Sequence, residues 1–335
     1  MESAFVGVRF TSVRGYGYYA ASQPPRGTPC AATIGGSQVT VEAKARRSGE
    51  TDEVRVAIPN KGRLREHAIK LLRLAGVGPR FVAERSLAAP MAENFQAIFV
   101  RAGDIPAYVA DGAAEAGITG HDLVRESGRE LDELLDLGFG SCKLVVAVKE
   151  ESAVEKVRDL AAGTRVATSF PRLTKEFFAG EGLPATVVPV SGAAEIAPHL
   201  GVADAIVDLS STGSTLRLHG LREIDSVLRS TARLVARPDP STNSALSDLA
   251  TAIESVIRGR AKRYLMANVP RTRIDEVRNV LPGLSGPTTM RILNSDEWLA
   301  VHAVVEAESV FRVVARLKAL GAQGIVVTTI ERLMP

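Results

Sequence analysis

The spacing of apolar residues switches repeatedly between a strand period and a helix period along most of this chain. Val54-Arg55-Val56-Ala57-Ile58 reads as a strand, and Leu64, Ala68, Leu71, Leu72 and Ala75 then recur at helical spacing until Gly76 and Gly78-Pro79 stop the helix. Phe95 to Val100 predicts a strand, Asp104 to Asp111 a short helix and Glu115 to Thr119 a strand, after which Gly120-His121-Asp122 caps a further helix. A second set follows Cys142. Strands are expected over 143–148, 165–168 and 185–189, and helices over 154–161 and 173–181. Val227 to Val235 reads as a strand returning towards the first set. Alternation of this kind predicts an α/β fold, and two lobes joined by more than one crossing imply a cleft in which a ligand binds.

The last segment has its own order. Strands are expected over 263–269, 289–293, 298–305 and 324–330, with helices over 274–281 and 310–320. That is the ferredoxin-like βαββαβ arrangement (ACT-like), and it contains no catalytic cluster. Residues 1–52 show neither period, and no acidic residue occurs between Glu2 and Glu42. Three readings stand for this segment: a disordered extension, an artefact of an upstream start codon, or a transit peptide, with the first two favoured. The domains expected are therefore 53–142 with 231–262 as lobe I, 143–230 as lobe II, and 263–335 as an interaction or ligand-sensing unit.

Composition narrows the class. The chain is 45% hydrophobic and 24% charged, ordinary values for a globular protein, and its 335 residues suffice for two or three cores. No apolar run approaches the roughly 20 residues that span a membrane. A net charge of +3 with 5% aromatics does not suggest nucleic acid as a partner. Cys30 and Cys142 suggest neither a disulfide framework nor a metal site, so a reduced, cytoplasmic protein is expected.

The most informative stretch is Glu195 to Leu216. It reads as a short helix, a turn, a buried strand around Ala205-Ile206-Val207 and then the loop Ser210-Ser211-Thr212-Gly213-Ser214-Thr215. Backbone N–H groups at a helix start, hydroxyl donors and a glycine that permits close approach suit a phosphate. Asp204 and Asp208 bracket the strand and could accept from sugar hydroxyls. Taken alone, STGST is more often a serine-rich helix cap. The two aspartates tilt the reading towards a ribose-phosphate site.

Glu195, Gly201, Ala203, Ile206, Asp208, Leu209, Thr212-Gly213, Thr215 and Leu216 resemble the signature of the ATP phosphoribosyltransferases, first-step enzymes of histidine biosynthesis. The resemblance runs from about Val54 to Met334. It includes Pro59-Asn60-Lys61-Gly62-Arg63-Leu64, Asp104-Ile105-Pro106, Gly117 to Asp122, Leu137-Gly138-Phe139-Gly140-Ser141 and Ala167-Thr168-Ser169-Phe170-Pro171. The tail, with Tyr264-Leu265-Met266 and Pro282-Gly283-Leu284, resembles the regulatory domain of long-form members, which need no separate regulatory subunit.

The resemblance implies a two-lobed core of the periplasmic-binding-protein kind, in which N1 of the adenine of ATP attacks C1 of phosphoribosyl pyrophosphate (PRPP) and pyrophosphate leaves. Asp208, Lys61 and Arg63 would be the catalytic residues. Asp204, Asp208, Ser211, Thr212, Gly213, Ser214 and Thr215 would bind PRPP, and Lys61, Gly62, Arg63, Arg101, Gly120 and Asp122 would bind ATP. Magnesium (Mg2+) would ride mainly on pyrophosphate oxygens and water, with no fixed protein ligands. Histidine would inhibit at Asn268, Leu284, Thr288 and Gly324 in a homo-oligomer (dimer or hexamer). Asn268 keeps an acceptor where some members carry aspartate. Whether Glu195 and Asp204 touch ligand or only shape the loop stays open. The rivals are a two-lobed solute-binding protein and a PRPP-using transferase acting on another base. The Glu195–Leu216 signature and the ferredoxin-like tail argue against both.

Overall fold

The computed structural model describes residues 31–34, 37–40 and 53–334, except 81–85, 93, 239–243, 282, 285 and 294. The chain divides into two compact units, Met1–Thr51 and Asp52–Pro335. In the first, β1 (Ala31–Ile34) and β2 (Ser37–Thr40) pair antiparallel. The rest of the expectation for residues 1–52 lies outside the described residues.

The second unit is built on three sheets. Lobe I contains β3 (Val54–Pro59), α1 (Gly62–Leu74), β4 (Ala88–Pro90), β5 (Phe95–Val100), α2 (Ile105–Ala110), β6 (Ala116–Gly120), α3 (His121–Ser127) and β7 (Asp132–Asp136). Lobe II contains β8 (Cys142–Lys149), β9 (Arg165–Thr168), α4 (Pro171–Gly180), β10 (Thr186–Pro189), β11 (Ala205–Ser210), α5 (Ser214–Leu218) and β12 (Leu221–Ser230). The chain then returns to lobe I through β13 (Ala232–Ala236) and α6 (Ser244–Arg260). The sheet orders are β4-β5-β3-β6-β13-β7 and β10-β9-β11-β8-β12. The expected strand over 227–235 is thus two strands in two different sheets, divided at Thr231.

Two further expectations need correction. The segment 154–161 is not an α-helix. It holds only a 3-10 turn over Val157–Asp159, because the Asp159 carboxylate accepts from the Lys156 N–H at 2.9 Å and Leu160 is already extended. Val157 and Leu160 are both buried, and a spacing of three serves a 3-10 turn as well as an α-helix. The helix expected at Glu195 is likewise one 3-10 turn, Ala194–Ile196. The strands β1, β2, β4 and β7 and the helix α6 were not expected. Leu246, Leu249, Ile253 and Val256 of α6 lie on the stripe that helical spacing puts on one face, and they join the lobe I core.

The third sheet follows as β14 (Lys262–Pro270), α7 (Ile274–Val280), β15 (Thr288–Arg291), β16 (Trp298–Glu306), α8 (Val310–Ala319) and β17 (Gln323–Thr329), in the order β15-β16-β14-β17. This is the βαββαβ arrangement. Alternate residues Leu265, Ala267 and Val269 bury one face of β14 against the two helices. After β17 the chain docks on lobe I: Arg332 Nε donates to the Leu74 carbonyl at the end of α1 at 2.9 Å, and the Leu333 N–H donates to the Ser255 carbonyl at 2.8 Å. The guanidinium complements the negative end of the α1 dipole.

Strand register orients the cleft. The strands β3, β5 and β6 run parallel, so their carboxyl ends share one edge of lobe I. In lobe II, β9 and β11 are parallel and share a carboxyl edge in the same way. Cys142 opens β8 and pairs with Ser230 at the end of β12, while Lys143 pairs with Ser210 at the end of β11. On the lobe I side, Ala232 pairs with Gly120 at the carboxyl end of β6, and Arg233 pairs with Asp136 at the end of β7. Both crossings therefore join carboxyl edge to carboxyl edge, and the two edges that bind ligands in open α/β sheets adjoin.

Candidate functional site

On lobe I, Lys61 is the N-cap of α1 and is followed by Gly62 at φ +76°, a left-handed turn that favours glycine. Lys61, Gly62 and Arg63 are all exposed. Arg101 follows β5, and the Asn60 N–H donates to the Val100 carbonyl at 2.8 Å, so Arg101 stands beside the Lys61 loop. Three cations thus gather on one rim.

On lobe II, the loop after β11 is held from within. Gly213, at φ +73°, is the N-cap of α5, and its N–H donates to Ser210 Oγ at 3.0 Å. The Thr212 and Ser214 hydroxyls lie 2.8 Å apart. Arg217 folds back, its Nη2 donating to the Thr212 carbonyl at 3.4 Å. The structure therefore gathers Ser211, Thr212, Gly213, Ser214 and Thr215 around one turn. The helix it opens has only five residues, so its dipole is weak and local donors and cations carry most of the attraction for an anion. A cavity of about 320 Å³ runs beside the loop, lined by Lys143, Arg217 and Arg222 and also by Glu150 and Glu223. Sequence reasoning missed Arg217 and Lys143. A cation one turn after the loop was a usable signal for the first. The second needed the Ser210–Lys143 strand pairing.

Asp208 shares a face of β11 with Ser210, and its carboxylate accepts the Leu209 N–H at 2.7 Å. Burial pushes its pKa up, the Leu209 N–H works against this, and the charge of Glu195 raises it further. No cation is paired with it among the described residues' ion pairs. Glu195 in turn lies 4.0 Å from His219 Nε2.

Three expected ligand residues are placed elsewhere. Asp204 is at the amino end of β11, while the loop follows the carboxyl end. Six residues at about 3.3 Å each separate them by roughly 20 Å. Its oxygens accept from Arg165 Nη2 at 2.8 Å, Nε at 3.2 Å and the backbone N–H at 2.9 Å. These bonds lower its pKa, and Asp204 secures the start of the β9–β11 pair. Asp122 is 4% exposed. Its N–H donates to Ser230 Oγ at 3.1 Å, and the serine hydroxyl donates back to its carboxylate. A Cβ on Gly120, itself buried, would stand 2.3 Å from Asp122 Oδ1. Asp122 and Gly120 therefore form part of the hinge and offer no open surface to a nucleotide. Asp136 reinforces that hinge. Partial burial pushes its pKa up, but the Gly138 N–H, the Thr231 hydroxyl and Arg233 together hold it below its ordinary value.

In the third sheet, Asn268 and Thr288 are exposed on the face opposite the helices. Gly324, at φ +58°, lies against Asn268: a Cβ there would be 3.5 Å from Nδ2. Leu284 is exposed in the turn before β15. Among the described residues no group of three or more His, Cys, Asp or Glu side chains could hold a metal, and no helix is long and apolar enough to cross a membrane.

Two family models match the chain: ATP phosphoribosyltransferase over residues 101–256 and the HisG C-terminal domain over 259–332. The ATP phosphoribosyltransferase of Gemmatimonas aurantiaca is 57% identical over 291 residues, covering 84% of this chain and all of that protein. That of Halorubrum lacusprofundi is 47% identical over 296 residues, with the same coverage. A chain of the ATP phosphoribosyl transferase (HisG:HisZ) complex from Thermotoga maritima superposes with a TM-score of 0.52 at 27% identity, covering 60% of this chain and 98% of that one.

Proposed function

Since this chain belongs to the ATP phosphoribosyltransferase family, we propose that it condenses ATP with PRPP to N1-(5-phosphoribosyl)-ATP and pyrophosphate, the entry step of histidine biosynthesis. The carrying observation is that a hydroxyl-rich loop and a half-buried carboxylate, without an ion pair among the described residues, lie at the carboxyl edge of the lobe II sheet, and three exposed cations lie at the carboxyl edge of lobe I, the two edges that the crossings join. The loop would hold the 5-phosphate through the Thr212, Ser214 and Thr215 hydroxyls and backbone N–H groups, with Arg217 adding charge. Asp208 would accept from the ribose hydroxyls and stabilise the electron-poor C1 in the transition state. The N1 lone pair forms the new bond to C1 as the C1–O bond breaks, its electron pair leaving with pyrophosphate. Lys61, Arg63 and Arg101 would take up charge on that leaving group and on the triphosphate of ATP. The nucleophile is already unprotonated, so positioning and electrostatics suffice and no general base is needed.

A divalent ion of the Mg2+ type fits this donor set in one respect. Asp208 is near enough to Glu195 for one carboxylate to raise the other's pKa, a pair that a cation would relieve. The ion would be held mainly by pyrophosphate oxygens and water, with no fixed protein ligand, and its charge would offset that of the two carboxylates from there. Bound there, it supplies charge neutralisation of the leaving group.

The third sheet would sense histidine. Asn268, Thr288 and Gly324 share an exposed face, with Leu284 at its edge, and the site would be completed by a neighbouring copy in a hexamer. No separate regulatory subunit would be needed, and the enzyme would work in the cytoplasm. The test is an assay of ATP plus PRPP with Mg2+, followed by the absorbance of phosphoribosyl-ATP, with and without histidine. Product that appears only with both substrates is expected. No product would end the reading of the reaction, and an uninhibited reaction would end that of the tail.

A further inference from the structure

Helix α3 belongs to both lobes. Val124 packs in a lobe I core with Ile105 and Val109, whereas its neighbour Leu123 packs against the lobe II core. Its carboxylates do the same work with polar bonds. Asp122 is tied to Ser230, the last residue of the lobe II sheet before the second crossing. One turn later, Glu126 reaches the start of α4: Oε1 accepts the Arg172 N–H and Oε2 the Leu173 N–H, each at 2.9 Å. Pro171 fills the first helical position of α4, so the donors Glu126 takes are the next two, which no carbonyl within the helix can satisfy. Phe170 is the N-cap residue of α4 and makes no side-chain cap. Glu126 of the other lobe supplies the missing cap, and its negative charge suits the helix's positive end. Arg172 comes so close to Gly128 that a Cβ there would stand 1.7 Å from Nη1, and Arg125 lies 3.9 Å from Glu176.

The segment that α4 carries in front of it is Thr168-Ser169-Phe170, at the carboxyl end of β9 and next to the loop after β11. Thr168 Oγ1 donates to the Val207 carbonyl at 2.7 Å and accepts the Phe170 N–H at 2.9 Å, so this segment and the end of β11 move as one. A bond that fixes the start of α4 to lobe I thus fixes the distance between the loop and the cation rim. Resting on the proposed reaction at this cleft, we infer that Glu126 is a positioning residue: a latch from lobe I to the α4 N-terminus that holds the two lobes at this spacing and so sets the affinity for PRPP.

A ligand that spans both lobes itself favours closure. Loss of the latch should therefore lower the fraction of competent molecules and raise KM, while saturating substrate restores kcat. The expected result for Glu126→Ala is a KM for PRPP raised about tenfold with kcat within about twofold. Glu126→Gln keeps one acceptor and should fall between. Lobe spacing gives a second readout that needs no activity. Nitroxides at Lys70→Cys on α1 and Lys175→Cys on α4, in a Cys30→Ser, Cys142→Ser background, report one narrow distance in the parent and a longer or broader one with Glu126→Ala. An unchanged distance distribution in a folded Glu126→Ala protein overturns the latch, and so does an unchanged KM where the distance does move. If the parent protein makes no phosphoribosyl-ATP at all, the reaction is wrong, and the nitroxide distances alone decide the latch.

Discussion

The two ends of β11 carry the same residue in opposite circumstances. At the amino end, Asp204 is gripped by three donors of Arg165, is about half exposed, and titrates below its ordinary value. At the carboxyl end, Asp208 has only the N–H of its neighbour among the described residues and is held above its ordinary value by burial. A carboxylate already satisfied by the protein has no affinity to spare for a ligand. One left short of partners in a half-buried position is costly to the fold, and that cost is tolerated where a ligand needs it. The comparison separates shape from chemistry within one strand. Its strongest test is Asp208→Asn, a near-isosteric change that removes the charge. Turnover should fall by at least about 100-fold, the scale of losing a transition-state charge partner. The melting temperature should hold or rise, because the buried charge is gone. Steady-state kinetics beside calorimetry checks both.

The acidity of the two residues extends the contrast. For Asp208 the folded pKa lies above the unfolded one, so between them the native state holds more protons and stability falls as pH rises through that window. The role proposed for Asp208 needs the ionised form, so kcat/KM should fall about tenfold per pH unit below the raised pKa. For Asp204 and Asp136 the folded pKa is lowered. Their contribution is present above the ordinary carboxylate value and is lost as pH falls through the folded one. The acid limb of activity should therefore lie at higher pH than acid unfolding. A pH–rate profile whose acid limb coincides with loss of circular dichroism would erase the distinction.

What sequence could and could not reveal follows the same line. The strand β11 was legible because three consecutive apolar residues are buried on both faces, and the loop because its residue types are those of a phosphate turn. The different fates of the aspartates were not legible, since the partner that settles Asp204 lies 39 residues away on another strand. Asp122 looked like a ligand residue beside a glycine. Its burial depends on Ser230, 108 residues further on, and pairings at that range leave no local signal. The 17-residue helix α6 was a different failure: its apolar stripe was present and went unread. The turn at 157–159 was misjudged because two buried residues three apart do not distinguish a 3-10 turn from an α-helix.

Arg217 sharpens the comparison at intermediate size. It belongs to the unsatisfied end of β11, and among the described residues its side chain is bonded only to the Thr212 carbonyl at 3.4 Å, so its charge is available to an anion on the loop. Arg217→Ala should raise KM for PRPP by about tenfold with little change in kcat, as for a contact made equally in the ground and transition states. Equal KM in parent and variant would show that the loop holds its phosphate without this cation.

The smallest effect belongs to the satisfied end. Asp204→Ala deletes a pair whose members are both about half exposed, where water screens the attraction and exposed ion pairs contribute little. It also leaves the Arg165 N–H and guanidinium to solvent, which can satisfy them. The melting temperature should drop by no more than a few degrees. KM for PRPP should not move, because roughly 20 Å of strand separates the mutation from the loop. A null result in binding is the informative one here. Were the KM for PRPP to rise as far in Asp204→Ala as in Arg217→Ala, the amino end of β11 would have to reach the ligand, and the division between shape and chemistry along this strand would fail.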